Sequence, residues 1–271
     1  MIVDLSPFIL YNVNISSMKY FLVLFIFLSH LLYAQDNYEI QVYGSETVAS
    51  KNTMLELHSN FTFKGQDFPK GDMLSTNHVF HETIEITHGW NSWFETGFYI
   101  FNTIGSNNRT NYVGSHLRPR ASAPLSWHLP VGASLSVEVG YQKRDYSDDD
   151  WSLEIRPIID KQMGKFYWSV NPTFDKSLHG LNKNLGYVFS PNVKVAYNIT
   201  TIIAAGVEYY GSVGPVNHIQ PLNNQQQQLF AAIDIEWSKD WEFNCGYGVG
   251  FTNNTDHSIF KMILGYRFHP L

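Results

Sequence analysis

Five side chains between positions 56 and 95 are of the types that bind transition metals. Imidazole nitrogen together with carboxylate oxygen suits zinc or a related divalent ion. Glu56 and His58 are two residues apart, a spacing that places both on one face of a β-strand. The alternative, which we prefer, is that such residues only solvate a polar interior, and we predict no bound metal or other cofactor. The five candidates are Glu56, His58, His81, Glu85 and Glu95.

Two groups of charged residues lie further along the chain. The first is basic and consists of Arg118, Arg120, Arg144 and Arg156. The second is acidic and consists of Glu208, Asp234, Glu236 and Glu242. Their chemistry is electrostatic, so their role depends on whether the fold makes them face each other across a cavity or pair with their neighbours.

The composition indicates a sheet that faces lipid. Only 15% of the residues are charged, beside 19 Phe, 16 Tyr and 7 Trp, and charge is well below the usual quarter of a globular protein. The net charge of -6 comes without a run of Lys and Arg, which argues against a nucleic-acid partner. The single cysteine, Cys245, excludes an intramolecular disulfide and a thiolate metal cluster.

The long apolar run is Tyr20 to Tyr33, which comes after Lys19 and precedes Ala34. It is too short for a transmembrane helix, which needs about 20 apolar residues, and it has the features of a signal peptide. We therefore assign residues 1–34 to an upstream extension and signal peptide, cleaved after Ala34. Residues 35–53 form an N-terminal periplasmic extension, and its strand-like part, 38–47, enters or caps the interior of the domain formed by residues 54–268.

From residue 54 onward the chain alternates apolar and polar residues with a period of two, the mark of half-exposed strands. In the first segment Leu55 and Leu57 share one face while Glu56 and His58 share the other. The pattern predicts an all-β fold with about twelve antiparallel strands. They span 54–64, 78–88, 93–102, 112–124, 131–143, 151–160, 166–176, 186–199, 201–212, 228–237, 241–252 and 258–268.

The connections and tryptophans indicate a transmembrane up-and-down β-barrel. Short connections alternate with longer polar ones, as periplasmic turns alternate with extracellular loops in outer-membrane barrels. Six of the seven tryptophans fall beside the short turns, where a membrane interface would gather them: Trp90, Trp93, Trp127, Trp168, Trp237 and Trp241. We predict a bacterial outer-membrane location, with outer-membrane lipid and lipopolysaccharide as partners. The alternative is a soluble β-sandwich or lipocalin-like barrel with the apolar face inside.

In such a barrel the alternation turns the two charged groups into opposed walls of the lumen. The basic wall and the acidic wall would create a transverse field that orients small polar solutes in a narrow passage. The predicted function is a narrow channel or passive transporter. The alternative is that the charges pair laterally, for example Arg118 to Glu138 to Arg156, and fill a structural or surface-binding barrel.

A membrane-embedded lipid hydrolase is the alternative from another class. Its chemistry needs a serine nucleophile beside a histidine base on the outer face. Ser59 and Ser115 are predicted to face outward, but His88 and His128 belong to turns and His257 to a loop. We therefore predict no catalytic residues and no enzymatic activity.

Three short runs resemble a known family. They are Tyr38 to Gly44, Glu56 to Asn60 and Trp93 to Tyr99, and they are similar to poorly characterised bacterial outer-membrane β-barrel proteins of the phenol-degradation (MetA-pathway) transporter type. The similarity spans most of the chain after the signal peptide. It implies an outer-membrane location and passage of small, hydrophobic compounds, and it carries no catalytic residues.

Overall fold

The computed structural model describes residues 37–67, 73–105 and 109–270. The predicted upstream extension and signal peptide, 1–34, lies outside the described residues. Within these ranges the regular structure is almost entirely strand: β1 Thr53–Lys64, β2 Val79–Gly89, β3 Phe94–Ile104, β4 Thr110–Ser122, β5 Gly132–Gln142, β6 Asp149–Met163, β7 Phe166–Gly180, β8 Val188–Asn198, β9 Ile203–Ser212, β10 Gly214–Pro215, β11 Gln226–Ile235, β12 Trp241–Gly250 and β13 Ser258–Phe268.

The strands form one closed barrel. Each long strand pairs antiparallel with its neighbours along the chain, and β1 pairs with β13 to join the two ends of the sheet. The two-residue strand β10 pairs only with the start of β8, so twelve strands form the wall. The prediction of a twelve-stranded antiparallel up-and-down barrel is confirmed.

The barrel is apolar outside and polar inside. Large side chains at alternate positions are exposed on the outer face, among them Leu57, Ile84 and Phe98, while the residues between them are buried. Trp90, Trp93, Trp127 and Trp237 are all exposed at the short-turn rim. This is the arrangement that a lipid environment stabilises and water does not. A closed barrel with this apolar outer face belongs in the bacterial outer membrane. No helix among the described residues is long and apolar enough to cross a membrane.

The prolines that interrupt the predicted strands lie where the pairing is irregular. Pro119 falls in a gap of the β4–β5 ladder between Leu117 and Arg120. Pro157 and Pro172 fall in a gap of the β6–β7 ladder, between the pairs Ile155 with Phe174 and Ile159 with Val170. A proline has no amide hydrogen to donate, so the sheet tolerates it only where local pairing is broken. The closure of the barrel is not affected.

A charge on the outer face tests this orientation. Replacing Leu117, which is 54% exposed in the middle of β4, with arginine should destabilise the barrel by about 2–4 kcal/mol, since the charge would lie at the bilayer midplane. Guanidinium unfolding in phospholipid vesicles measures the change. The control is Leu125→Arg in the short turn after β4, where the expected cost near the interface is only about 0–1 kcal/mol. Equal costs at the two positions would contradict the membrane orientation.

Residues 37–50, here called the lumen segment, run through the inside of the barrel and end at its rim, where Ala49 and Ser50 are exposed. The segment joins no ladder of the sheet within the part of the chain that the structure describes. Tyr38, Glu39, Ile40, Val42 and Tyr43 are nevertheless buried. Since the surrounding wall is the inner face of the barrel, the segment fills space that an open barrel would leave to water.

Candidate functional site

The lumen segment runs between the two rims of the barrel. At one end Asn60 Nδ2 donates to the carbonyl of Asn37 at 2.8 Å, and Asn37 Nδ2 donates to Asp256 in a long loop. At the other end the Val48 amide donates to Glu95 at 2.5 Å. The Lys51 amide then donates to the Gly89 carbonyl, beside a short turn, at 2.6 Å. The segment therefore crosses the whole lumen.

Tyr43 is the centre of the contacts that the segment makes. Its amide donates to Asn171 Oδ1 at 2.8 Å, and its carbonyl accepts from Ser169 Oγ at 2.6 Å and from Asn171 Nδ2 at 3.0 Å. Its hydroxyl donates to Glu39 and lies 3.2 Å from the Tyr99 hydroxyl. Three guanidinium groups lie 4.8–5.6 Å from the centre of its ring, within the range of cation–π attraction: those of Arg118, Arg120 and Arg156.

Charged wall residues hold the segment on either side of Tyr43. Arg156 Nη1 lies 3.2 Å from Glu39 Oε1. Arg120 donates to the carbonyls of Gly44 and Glu46 at 3.1 and 2.7 Å. Arg120 and Arg156 of the predicted basic wall thus bind the lumen segment directly, in addition to the ring contacts that they and Arg118 make with Tyr43.

The segment also makes two small apolar contacts. Ile40 and Val42 pack with Tyr210, Phe230 and Ile259 on one side of the barrel. Tyr38 packs on the other side, in a cluster with Tyr99, Phe101 and Val113. The contacts of Glu39 and Tyr43 described above are hydrogen bonds, an ion pair and cation–π contacts, which distinguishes this lumen from the core of a soluble barrel.

Three of the four predicted basic residues lie in the lumen, and the fourth, Arg144, does not. Arg118 Nη2 lies 2.7 Å from Glu85 Oε1, and Arg118 Nη1 lies 3.3 Å from Glu95 Oε1. Arg120 Nε lies 2.7 Å from the same Glu95 oxygen. Arg156 lies 2.8 Å from Glu154 of its own strand. Arg144 is 54% exposed in a loop and is not part of the lumen wall. The arginines of the wall are thus paired with carboxylates.

The particular lateral pairing considered from sequence is not the one observed. Glu138 lies against His116 Nδ1, whereas Arg118 pairs with Glu85 and Arg156 with Glu154. Ion pairs between side chains of the same wall nonetheless line the lumen, as in the alternative in which the charges pair laterally and fill the barrel.

The predicted acidic residues lie beside two lysines that sequence reasoning missed. Lys261 on β13 forms an ion pair with Glu208, and Lys194 on β8 lies 3.2 Å from Glu208 and 2.8 Å from Asp234. Glu242 pairs with Arg267 near the rim, and Glu236 is exposed after β11. Because the lysines neutralise much of this side, a simple acidic wall opposite a basic wall does not describe the lumen.

The metal candidates separate into one cluster and two other residues. Glu56, His58 and Glu85 come together, with one ligand atom from each within 4.8 Å of the others. His81 Nε2 lies 3.2 Å from Thr62 Oγ1, and its ring packs edge-on against Tyr38. Glu95 binds the arginines. The spacing of Glu56 and His58 was the useful signal, since it fixed their common face.

Polar contacts among the loops close over the long-loop end of the lumen segment. Thr76 Oγ1 donates to Asp256 Oδ1 at 2.7 Å, while Asn37 of the segment donates to the other carboxylate oxygen. Burial raises the pKa of the Asp256 carboxyl, and the hydrogen bonds from Thr76 and Asn37 oppose that shift. The loop between β12 and β13 thus connects the segment to the loop between β1 and β2.

The two serines considered as outward nucleophiles have other partners. Ser59 Oγ donates to Glu82 at 2.5 Å. This contact also explains how the outer face of β2 accommodates a carboxylate. Ser115 Oγ lies 2.9 Å from the Tyr112 hydroxyl. Neither of these contacts supplies the histidine base that nucleophilic chemistry requires.

Comparison with known proteins identifies the fold. No family model and no curated protein sequence matches the chain. Among solved structures, the KdgM porin is similar with a TM-score of 0.52 at 9% identity, over 80% of this chain and 99% of the porin. The NanC porin is similar with a TM-score of 0.52 at 10% identity, over 80% of this chain and 100% of the porin.

The class of protein is therefore an outer-membrane β-barrel of the kind that includes porins. At such low identity the similarity concerns the fold alone. The function of this barrel depends on the residues of its own lumen.

Proposed function

We propose that the protein is an outer-membrane channel for small solutes that its own lumen segment holds closed. The observation that carries this proposal is the polar character of the contacts between the segment and the wall. Arg120, Ser169 and Asn171 all bind the segment's backbone. Exchanging such hydrogen bonds for water changes the free energy by only about 0.5–1.5 kcal/mol each. The polar wall therefore remains stable when water takes the place of the lumen segment.

The similarity of the fold to the KdgM and NanC porins supports a channel. One structure of the KdgM porin is a complex with oligogalacturonate, but that solute is a property of KdgM. The resemblance to the MetA-pathway type of transporter extends the proposal to small, hydrophobic compounds. Outer-membrane lipid and lipopolysaccharide are the proposed surroundings of the apolar face.

A barrel that is filled for stability alone is the second candidate. Its support is the number of buried ion pairs, such as Lys261 with Glu208 and Arg118 with Glu85. A filled barrel would have no use for a movable segment. The two candidates therefore predict different currents for a barrel from which the segment has been removed.

Planar-bilayer recording tests the proposal. The chain that begins at residue 35 is compared with a variant that lacks residues 37–48, both refolded from the unfolded state. We expect the shortened variant to carry a mean current at least about ten times larger, because the polar wall is then free to fill with water and ions. Folding is checked by circular dichroism and by the heat-dependent mobility of the barrel in gels.

A second variant separates loss of contacts from loss of chain. Residues 37–48 are replaced by a Gly-Ser sequence of equal length, which keeps the chain but removes the contacts of Tyr43 and Glu39. An intermediate current is expected. If the shortened barrel is folded and carries no resolvable current, the channel proposal is wrong and the filled barrel is the better description.

A further inference from the structure

Three ligand-type side chains meet on the inner face of β1 and β2. Glu56 and His58 are both inward on β1, and Glu85 on β2 is the direct cross-strand partner of Glu56. All three are buried: the exposed fraction is 0% for His58 and 1% for Glu85. One potential ligand atom from each lies within 4.8 Å of the other two.

His58 points into this cluster without a hydrogen bond. Within the described part of the chain, His58 Nδ1 has no hydrogen-bond partner, and His58 Nε2 and Glu85 Oε2 have only the contact with each other. A buried polar atom that lacks a hydrogen bond destabilises the fold, and binding to an ion would remove that cost. His58 Nε2 lies 3.4 Å from Glu85 Oε2. Two ligands of a tetrahedral zinc ion, each bound at about 2.0–2.1 Å, are separated by about 3.3 Å.

The carboxylates alone repel one another. Like charges directly opposite in a sheet are destabilising, and Glu56 faces Glu85 in this way. Glu242 approaches from the other side, since Glu56 and Glu242 both pair with Gly265. A Cβ at position 265 would lie 2.8 Å from the Cγ of Glu242 and 3.2 Å from that of Glu56. Three carboxylates thus lie at one level of the barrel. Arg118 pairs with Glu85 and Arg267 with Glu242, so a bound cation would chiefly offset the charge of Glu56.

The Oε1 atom of Glu85 is held in place by hydrogen bonds from two neighbouring side chains. Arg118 Nη2 and Thr87 Oγ1 each donate to Glu85 Oε1 at 2.7 Å. These bonds hold the carboxylate so that Oε2 faces His58. Hydrogen-bonded partners of this kind orient the ligands of metal sites and raise metal affinity.

We propose that Glu56, His58 and Glu85 bind one divalent transition-metal ion, of which Zn²⁺ is the representative. The imidazole nitrogen favours this class over Ca²⁺ and Mg²⁺, which prefer oxygen ligands. The site would tie β1 to β2 inside the lumen and neutralise the opposed carboxylates. The site would form whether or not the lumen conducts.

Metal analysis of the refolded barrel tests the site. The tag-free chain that begins at residue 35 is stripped with a chelator, refolded with Zn²⁺ so that the buried site can load, and dialysed. We expect one bound Zn²⁺ per barrel by mass spectrometry of the metal content. With Co²⁺ in its place, visible absorption bands more intense than those of the hydrated ion should appear, as expected of a site with few ligands. His58→Gln should weaken Zn²⁺ binding at least about ten-fold, as loss of groups around a metal does.

Two further variants make the outcome decisive. Glu56→Gln should weaken binding as His58→Gln does, and it serves if the histidine variant does not fold. His81→Gln is the matched control, because His81 is a buried histidine of the same wall that binds Thr62 instead of the cluster. The proposal is overturned if no stoichiometric ion is retained. It is equally overturned if His58→Gln and Glu56→Gln bind Zn²⁺ as the unaltered chain does, since the ion would then lie at surface histidines such as His179.

Discussion

Replacing Arg118 with leucine should lower the free energy of unfolding by about 3–5 kcal/mol, the usual cost of removing one partner from a buried ion pair. Arg118 is 2% exposed and lies 2.7 Å from Glu85 and 3.3 Å from Glu95. Its loss leaves Glu85 without the guanidinium that compensates its burial, and leaves Glu95 with Arg120 alone. Guanidinium unfolding in phospholipid vesicles gives the change directly.

Arg144→Leu is the matched control for this prediction. Both arginines belong to the group predicted from sequence, but Arg144 is 54% exposed and lies 3.4 Å from Asp150 in solvent. Exposed pairs of this kind contribute about 0–1 kcal/mol, so the control should be nearly neutral. If Arg118→Leu were also neutral, Glu85 and Glu95 would have to be hydrated or protonated, and the buried ion-pair network around them would be wrong.

The wall of this barrel could be predicted from sequence because the period of a strand is short and local. Each residue such as Leu57 or Phe260 faces out because its neighbours face in, and no distant contact is needed to establish this. The regular succession of short turns and long loops predicted the closure. The ends of strands depend on loop contacts that the period does not encode. β6 and β7, for example, continue beyond their predicted ends to Met163 and Gly180.

The charges of the lumen were harder to predict because their partners lie on other strands. Lys261 alternates with Phe260 and Met262, so its inward position can be read from the same period, as can that of Lys194 beside Val193. Alternation gives the face but not the height of a side chain in the barrel. Only the register, Lys194 opposite Glu208 for example, shows which charges meet and that the acidic side is partly neutralised.

The lumen segment illustrates a limit of the same kind. Residues 38–47 alternate as a strand does, and the pattern cannot tell whether such a strand joins the sheet or lies within it. Their position ahead of the twelve predicted strands favoured a segment that enters or caps the interior. The contacts of Tyr43 with β3, β4 and β7 depend on the diameter of the closed barrel, which sequence patterns do not encode.

A reversible crosslink of the lumen segment should switch the proposed channel. Ser45 Oγ donates to Asp160 Oδ1 of β6 at 2.6 Å, which makes these two positions the place to introduce cysteines. A disulfide forms between them when their Cβ atoms approach to about 3.5–4.5 Å. The pair is introduced with Cys245→Ser, which removes the native thiol. In the reduced form the segment has lost its hydrogen bonds to Asp160 and should move more readily. In the oxidised form it is covalently held.

We expect the reduced variant to open at least about ten times more often than the oxidised one in planar bilayers, which corresponds to a difference of about 1.4 kcal/mol in the opening equilibrium. Adding a thiol reductant to the oxidised barrel should restore the openings. The control carries Asp160→Cys and Cys245→Ser only, which removes the same carboxylate but cannot crosslink, and its current should not respond to the reductant. If a crosslink verified by mass leaves the current of the double-cysteine variant unchanged, movement of the lumen segment does not gate the barrel, whatever current the barrel carries.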